Sequence, residues 1–165
     1  MSFGSNFEHQ WFCSKHYTTM QVLLFILFNS FLFSNGTWET DFNKAQQSAK
    51  TEHKLILINF SGSDWCGPCI RMHKDIFESN GFTQYANDHL VLVNADFPRL
   101  KKHALSKDQQ KKNDQLADKY NKDGIFPLTV LLSPDGKVLK EWQGLPPISS
   151  EEFTTEVKSI VDANK

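Results

Sequence analysis

Two cysteines separated by two residues, Cys66-Gly67-Pro68-Cys69, are the part of this sequence best suited to chemistry. A thiolate attacks disulfides and a protonated thiol does not, so such a pair works only where something lowers the pKa of one member. The motif follows the apolar run Leu55 to Phe60 (LILINF) and a Ser61-Gly62-Ser63 stretch, and residues from Cys66 to about Ser79 read as a helix ended by Asn80-Gly81. Cys66 therefore opens a helix, where unsatisfied N–H groups and the positive end of the dipole favour a thiolate. Cys69 lies one turn on and faces the same side, placed to resolve a mixed disulfide formed at Cys66. Pro68 is tolerated in the first turn, because its missing N–H has no intrahelical partner there. The expected chemistry is thiol–disulfide exchange, with Cys66 attacking and Cys69 resolving. The expected redox group is the dithiol itself, with no metal, nucleotide or flavin implied.

Other uses of the cysteines fit less well. A zinc site needs four ligands, and no second CxxC or closely spaced His pair follows. His73, His89 and His103 are widely spaced and read as solvated or capping residues. Covalent haem attachment needs a His after the second Cys, where this chain has Ile70. A loop this short removes little unfolded-state entropy when closed, so a Cys66–Cys69 disulfide is reactive rather than a staple.

The elements that must position the motif can be read on either side of it. Trp38, Phe42, Ala45 and Ala49 recur at helical spacing, which predicts a helix over 38–52. LILINF and Leu90 to Ala95 (LVLVNA) are short apolar runs that predict two buried strands, parallel because a helix joins them. The segment from Phe97 to Gly124 holds eight Lys or Arg and four Asp residues in a chain whose net charge is −1. Its second half, Asp108 to Tyr120, is expected to be helical, with Leu116 and Tyr120 turned inward. The segment is either a partner-facing surface or a solvated insertion. Leu128 to Leu132 and Val138 to Trp142 predict strands joined by the Ser133-Pro134-Asp135-Gly136 turn. Ser149 and Glu152 form a capping box opening a last helix, with Phe153, Val157 and Ile160 inward. The result is an α/β domain: an N-terminal helix, then β-α-β-α-β-β-α, with one mixed sheet flanked by helices.

The first residues read differently. Lys15 and His16 precede twelve residues, Val22 to Phe33, that are apolar apart from Asn29 and Ser30. A bilayer span takes about 20 residues, whereas this pattern fits a signal peptide. Ser34-Asn35-Gly36 supplies small residues for cleavage after Gly36, which divides the chain into a signal over 1–36 and a domain over 37–165. Cys13 would leave with the signal, and Met20 is an alternative start. The chain is expected to be exported, periplasmic or extracellular, and membrane-anchored if the signal is retained. At 165 residues, 39% of them hydrophobic, with nearly balanced charge, it reads as one globular domain rather than a disordered or nucleic-acid-binding chain.

In this context Trp65-Cys66-Gly67-Pro68-Cys69 resembles the thioredoxin superfamily, and the resemblance runs from about Lys54 to Ala163. The Phe60-Ser61-Gly62-Ser63-Asp64 approach and the export signal are similar to bacterial exported thioredoxin-like proteins related to the C-terminal domain of the transmembrane reductase DsbD. No extra N-terminal strand is recognisable. The resemblance implies a thioredoxin fold and makes Phe126-Pro127 the counterpart of the family's cis-proline, whose preceding residue pairs with the substrate backbone. It also makes Gly144 the counterpart of the glycine after the last strand. Gly67-Pro68 is the dipeptide of reducing family members. Two departures stand out: the family's buried Asp falls at Asn59, and its neighbouring Lys at Leu92. Asp64 is the acid nearest the cysteines in sequence, and it is expected to be exposed.

The expected function is a thiol–disulfide oxidoreductase that reduces or exchanges disulfides in exported proteins. A thiol electron donor, membrane-borne or otherwise, recharges it. Trp65, Gly67, Pro68, Phe126 and Pro127 are the expected substrate-binding residues. Trp65 is otherwise a packing residue, and Phe126 a core residue. The alternative function is a binding module or chaperone with little redox turnover.

Overall fold

A computed structural model describes residues 37–164. The expected signal peptide, Cys13 and Met20 lie outside them. In chain order the elements are α1 (Phe42–Glu52), β1 (Leu55–Ser61), α2 (Gly67–Met72), which continues as a π-helical turn (His73–Phe77), α3 (Asn80–His89) and β2 (Leu90–Asp96). A 3₁₀ turn (Lys101–His103), α4 (Lys107–Tyr120), β3 (Leu128–Leu132), β4 (Val138–Gln143) and α5 (Ser150–Asp162) complete it.

The sheet order is β2-β1-β3-β4. β1 runs parallel to β2 and antiparallel to β3, and β3 and β4 form an antiparallel hairpin. Successive strand residues point to opposite faces, and both faces are covered here. Leu55 and Leu57 of β1, with Leu90 and Leu92 of β2, pack with Met72, Phe77, Phe82, Phe153 and Val157. Ile56, Ile58 and Phe60, with Val91, Val93 and Ala95, pack against Ala45, Ala49, Leu116 and Tyr120. Apart from Asn59 and Ser61 of β1 and Asn94 and Asp96 of β2, these two strands are apolar, which is why their runs carry no polar alternation.

Three expectations change. Trp38 is not helical: Asp41 caps α1, its side chain accepting the N–H groups of Asn43 and Lys44, so the helix starts at Phe42. Trp38 instead packs on Phe77, ring centroids 5.1 Å apart, and the next residue, Glu39, makes a single parallel bridge to Val93. The helix after the cysteines ends before Asn80-Gly81, as expected, but that pair opens a further helix. The break falls at Ser79, whose hydroxyl donates to Ile76 O and accepts the Phe82 N–H, and α3 starts there. A serine cap satisfies an otherwise orphaned donor, and burial of Phe82 and Ala86 fixes the new helix against the core. The last helix buries Phe153, Val157 and Val161, with Ile160 only half-buried. Its capping box forms as expected, Ser149 and Glu152 each accepting the other's backbone N–H.

Candidate active site

The motif sits where β1 ends and α2 begins. Cys66 is the N-cap, with extended backbone, and its Sγ accepts the Cys69 N–H at 3.2 Å. Pro68 occupies the first turn. The two sulfurs form a disulfide, with Cα atoms 5.2 Å apart. Cys66 is 5% exposed and Cys69 1%, so the first sulfur is the more accessible. Gly67, Pro68 and Ile70 are exposed around the pair. The helix N-terminus supplies an N–H and dipole to Cys66, the arrangement that holds a sulfur as thiolate once the bond is reduced.

Trp65 has a built position. Its Nε1–H donates to Phe97 O at 2.8 Å, its ring meets Phe126 edge-on at 5.5 Å, and the Arg99 guanidinium lies 3.6 Å over the indole. The indole lies against Gly62, where a Cβ would come 2.3 Å from Trp65 Cε2. Phe126 is half-buried and also packs on Phe97, so it is partly core and partly rim. The Phe126–Pro127 peptide is cis, and Pro127 O accepts the Gly144 N–H at 2.8 Å. Gly144 has φ 72°, the left-handed conformation glycine adopts without penalty. The loop before this peptide is closed by Asn121, whose side-chain amide donates to Ile125 O and accepts the Ile125 N–H. The structure thus gathers Trp65, Phe126 and the cysteine loop in one place.

Asp64 is not the exposed acid that was expected. Its side chain is 4% exposed. It accepts the backbone N–H groups of Arg99 and Leu100, each at 2.9 Å, and lies 3.1 Å from His103 Nδ1. The Arg99 N–H, followed by those of Leu100 and His103, holds its carboxyl below the usual carboxylate range. One residue earlier, Ser63 donates its N–H and its hydroxyl to the two oxygens of Asp96. Two carboxylates therefore lace the loop before the cysteines to the end of β2 and the segment after it. No local motif announces this, because the partners are far apart in sequence.

Behind the cysteines, Asn59 is 1% exposed on β1. Its side-chain oxygen faces the Thr129 hydroxyl at 3.5 Å, and that hydroxyl also lies 3.7 Å from Met72 Sδ. Leu92 is buried among apolar side chains. Among the described residues, the Asn59 amide and the Thr129 hydroxyl, and no carboxylate, are the polar groups paired in this interior. Among the described residues, no group of three or more His, Cys, Asp or Glu side chains is arranged to hold a metal ion. His73 pairs with Glu78 and His89 stacks on Tyr85, so the histidines are dispersed. None of the described helices is long and apolar enough to cross a membrane.

Comparison with known proteins adds to this geometry. A family model described as a thioredoxin-like domain matches residues 42–160. The chain is 36% identical over 128 residues to the disulfide bond reductase DsbH of Chlamydia pneumoniae, covering 78% of this chain and 74% of that protein. It is 32% identical over 96 residues to the thioredoxin-related protein DsbJ of the same organism, covering 58% of this chain and 27% of that protein. A solved structure of a DsbH oxidoreductase superposes with a TM-score of 0.70 at 35% identity, covering 78% of this chain and 86% of the other.

Proposed function

Because the chain belongs to the thioredoxin-like domain family and is a thiol–disulfide oxidoreductase, we propose that it reduces or exchanges disulfides in exported proteins. Cys66 is the attacking thiolate and Cys69 the resolving thiol. The observation that carries these roles is the position of Cys66 as a helix N-cap whose sulfur already accepts the Cys69 N–H.

The steps follow from that geometry. The Cys66 thiolate bonds to one sulfur of a substrate disulfide, and the other sulfur leaves as a thiolate with the electron pair. Cys69, deprotonated, then attacks Cys66 Sγ, forming the intramolecular disulfide and releasing the second substrate thiolate. The substrate gains two electrons and the enzyme dithiol loses them, so an external thiol donor must reverse the change before the next turnover. Asn59 cannot take the Cys69 proton, which passes to water or to the departing thiolate. The substrate chain lies across Trp65, Gly67, Pro68, Phe126 and Pro127, with its backbone beside the cis peptide.

Residues 1–36 serve as an export signal and 37–165 as the working domain, placing the enzyme in the periplasm or outside the cell. The apolar run before Gly36 supports this reading. If the signal is retained, it anchors the domain to the membrane instead. Electrons then come from a thiol donor of that compartment, membrane-borne or otherwise.

An insulin-reduction assay with dithiothreitol as donor tests the assignment. The wild type should precipitate the insulin B chain well ahead of the uncatalysed control, and Cys66→Ser should match that control. Equal rates for the two proteins would leave a binding module in place of an enzyme.

A further inference from the structure

Four cations stand on one short stretch beside the disulfide. Arg99, Lys101, Lys102 and Lys107 are all exposed, and no acidic residue lies between Phe97 and Lys107. None of the four belongs to an ion pair among the described residues. Lys112 differs: it is paired with Asp41 at 2.7 Å. The start of the segment differs from the rest in carrying cations with no acidic residue interspersed, whereas Asp108, Asp114, Asp118 and Asp123 alternate with the later lysines.

That start is held at the site. Asp64, two residues before Cys66, binds the Arg99 and Leu100 N–H groups, and the Arg99 guanidinium covers Trp65, the residue next to Cys66. Leu100 is 46% exposed here, and Ile70, the residue after Cys69, is 49% exposed. The disulfide is thus flanked by a lip that is both cationic and apolar, anchored from beneath rather than loosely appended.

We propose that residues 99–102 are a docking lip for an acidic polypeptide segment flanking the cysteine that is to be exchanged. This rests on the exchange reading above: a polypeptide whose sulfur reaches Cys66 must cross the residues tied to Asp64 and Trp65. Unpaired cations there favour carboxylates on that chain, and they act chiefly on the rate of encounter. Lys101 and Lys102 carry the selectivity, and Arg99 also holds the indole.

The test uses the full chain, reduced, and three peptides of equal length. Each peptide carries one cysteine capped as a mixed disulfide with thionitrobenzoate, flanked by Glu, Ser or Lys. Cys66 bonds to the peptide sulfur, the bond to thionitrobenzoate breaks, and the coloured thiolate leaves with the electron pair. At low salt the Glu peptide should react about tenfold faster than the Ser peptide, and the Lys peptide more slowly than either. Molar salt should erase the difference, since it shortens the screening length to about 3 Å. Lys101→Glu with Lys102→Glu should abolish or invert the order while leaving the Ser peptide's rate unchanged. Equal rates for all three peptides, or a variant that slows all three alike, would overturn the proposal. So would binding to phosphatidylserine vesicles that the double variant loses, without any peptide selectivity. Failure to react with any peptide would remove the exchange reading, and the lip with it. Reaction with the Ser peptide and no preference for Glu would remove the lip alone.

Discussion

Asp64 Oδ1 accepts the backbone N–H of Arg99 at 2.9 Å, across a sequence separation of 35 residues. The approach to the cysteines and the start of the basic segment are therefore one piece of structure. The carboxyl of Asp64 is held below its ordinary value of 3.8, first by this bond. A depressed folded pKa contributes stability that is present above the ordinary value and lost as pH falls through the folded one. The anchor should hold from neutral pH down to about pH 4 and release below it. Hydrogen exchange at the Arg99 and Leu100 amides is the direct readout. Asp64→Asn should accelerate it at neutral pH, since an amide offers one acceptor and no charge. Unchanged protection of both amides would mean the segment is held by other contacts.

Cys66, the N-cap, should react first with alkylating agents. A helix N-terminus holds a CxxC thiol below the ordinary thiol range, while Cys69 is almost fully buried. Limited iodoacetamide treatment of the reduced protein near neutral pH, followed by peptide mapping, should find the label mainly on Cys66. Cys69→Ser should accumulate a mixed disulfide with substrate. Preferential labelling of Cys69 would reverse the two roles.

Gly62→Ala should displace the Trp65 indole. The new Cβ would stand 2.3 Å from a ring atom fixed on its other side by Phe97, Phe126 and Arg99. Overpacking of this kind costs about 1–3 kcal/mol. Urea unfolding should register that loss, together with changed tryptophan fluorescence and slower exchange. A variant with wild-type stability and activity would show that the indole is free to move.

Neither residue between the cysteines is charged, so the reduced form gains no stabilisation from a cation within the motif. The expected potential is about −270 to −200 mV. Pro68→His should make the protein more oxidising, by about 30 mV for each 1.4 kcal/mol of added thiolate stabilisation. Equilibration against glutathione buffers measures both. A wild-type value near about −120 mV would make the protein a disulfide donor instead.

Asn59→Asp would place a carboxyl where the side chain is 1% exposed, with only the Thr129 hydroxyl close by. Burial raises a carboxyl's pKa, so the variant's stability should fall as pH rises above about 4. The slope approaches about 1.4 kcal/mol per pH unit until the folded pKa is reached. Urea midpoints at pH 5 and pH 8 should therefore diverge from wild type, more at pH 8. A constant offset across that range would mean the carboxylate finds solvent or a donor.

Much of the fold lay open in the sequence because its signals were local. LILINF and LVLVNA are apolar at every position but Asn59 and Asn94, and the structure packs helices on both sides of them. The Ser149–Glu152 box and the Ser133–Gly136 turn each depend on neighbours within a few residues. The helix after Ser79 was masked by Asn80-Gly81, a pair that more often stops a helix. Here burial of Phe82 and Ala86 outweighs that preference. Trp38 fits a helical spacing yet lies before the Asp41 cap. The cysteines announce themselves, but Asp64, Gly62 and Arg99 do not. Their part in the site depends on Phe97 and Arg99 being brought alongside Trp65, and Leu100 alongside Asp64, by the parallel pairing of β1 and β2.

The bridge at Glu39 limits where this domain could be cut from the residues before it. Its N–H donates to Leu92 O at 2.8 Å and its carbonyl accepts the Asn94 N–H at 2.9 Å, covering part of the outer margin of β2. Cleavage after Gly36 would keep this selvedge, with Glu39 the third residue of the mature chain. A cut only a few residues later would strip it, baring strand backbone able to knit with another molecule. If residues 1–36 are removed as a leader, the place of the cut also decides whether the sheet ends in a finished hem or a raw one.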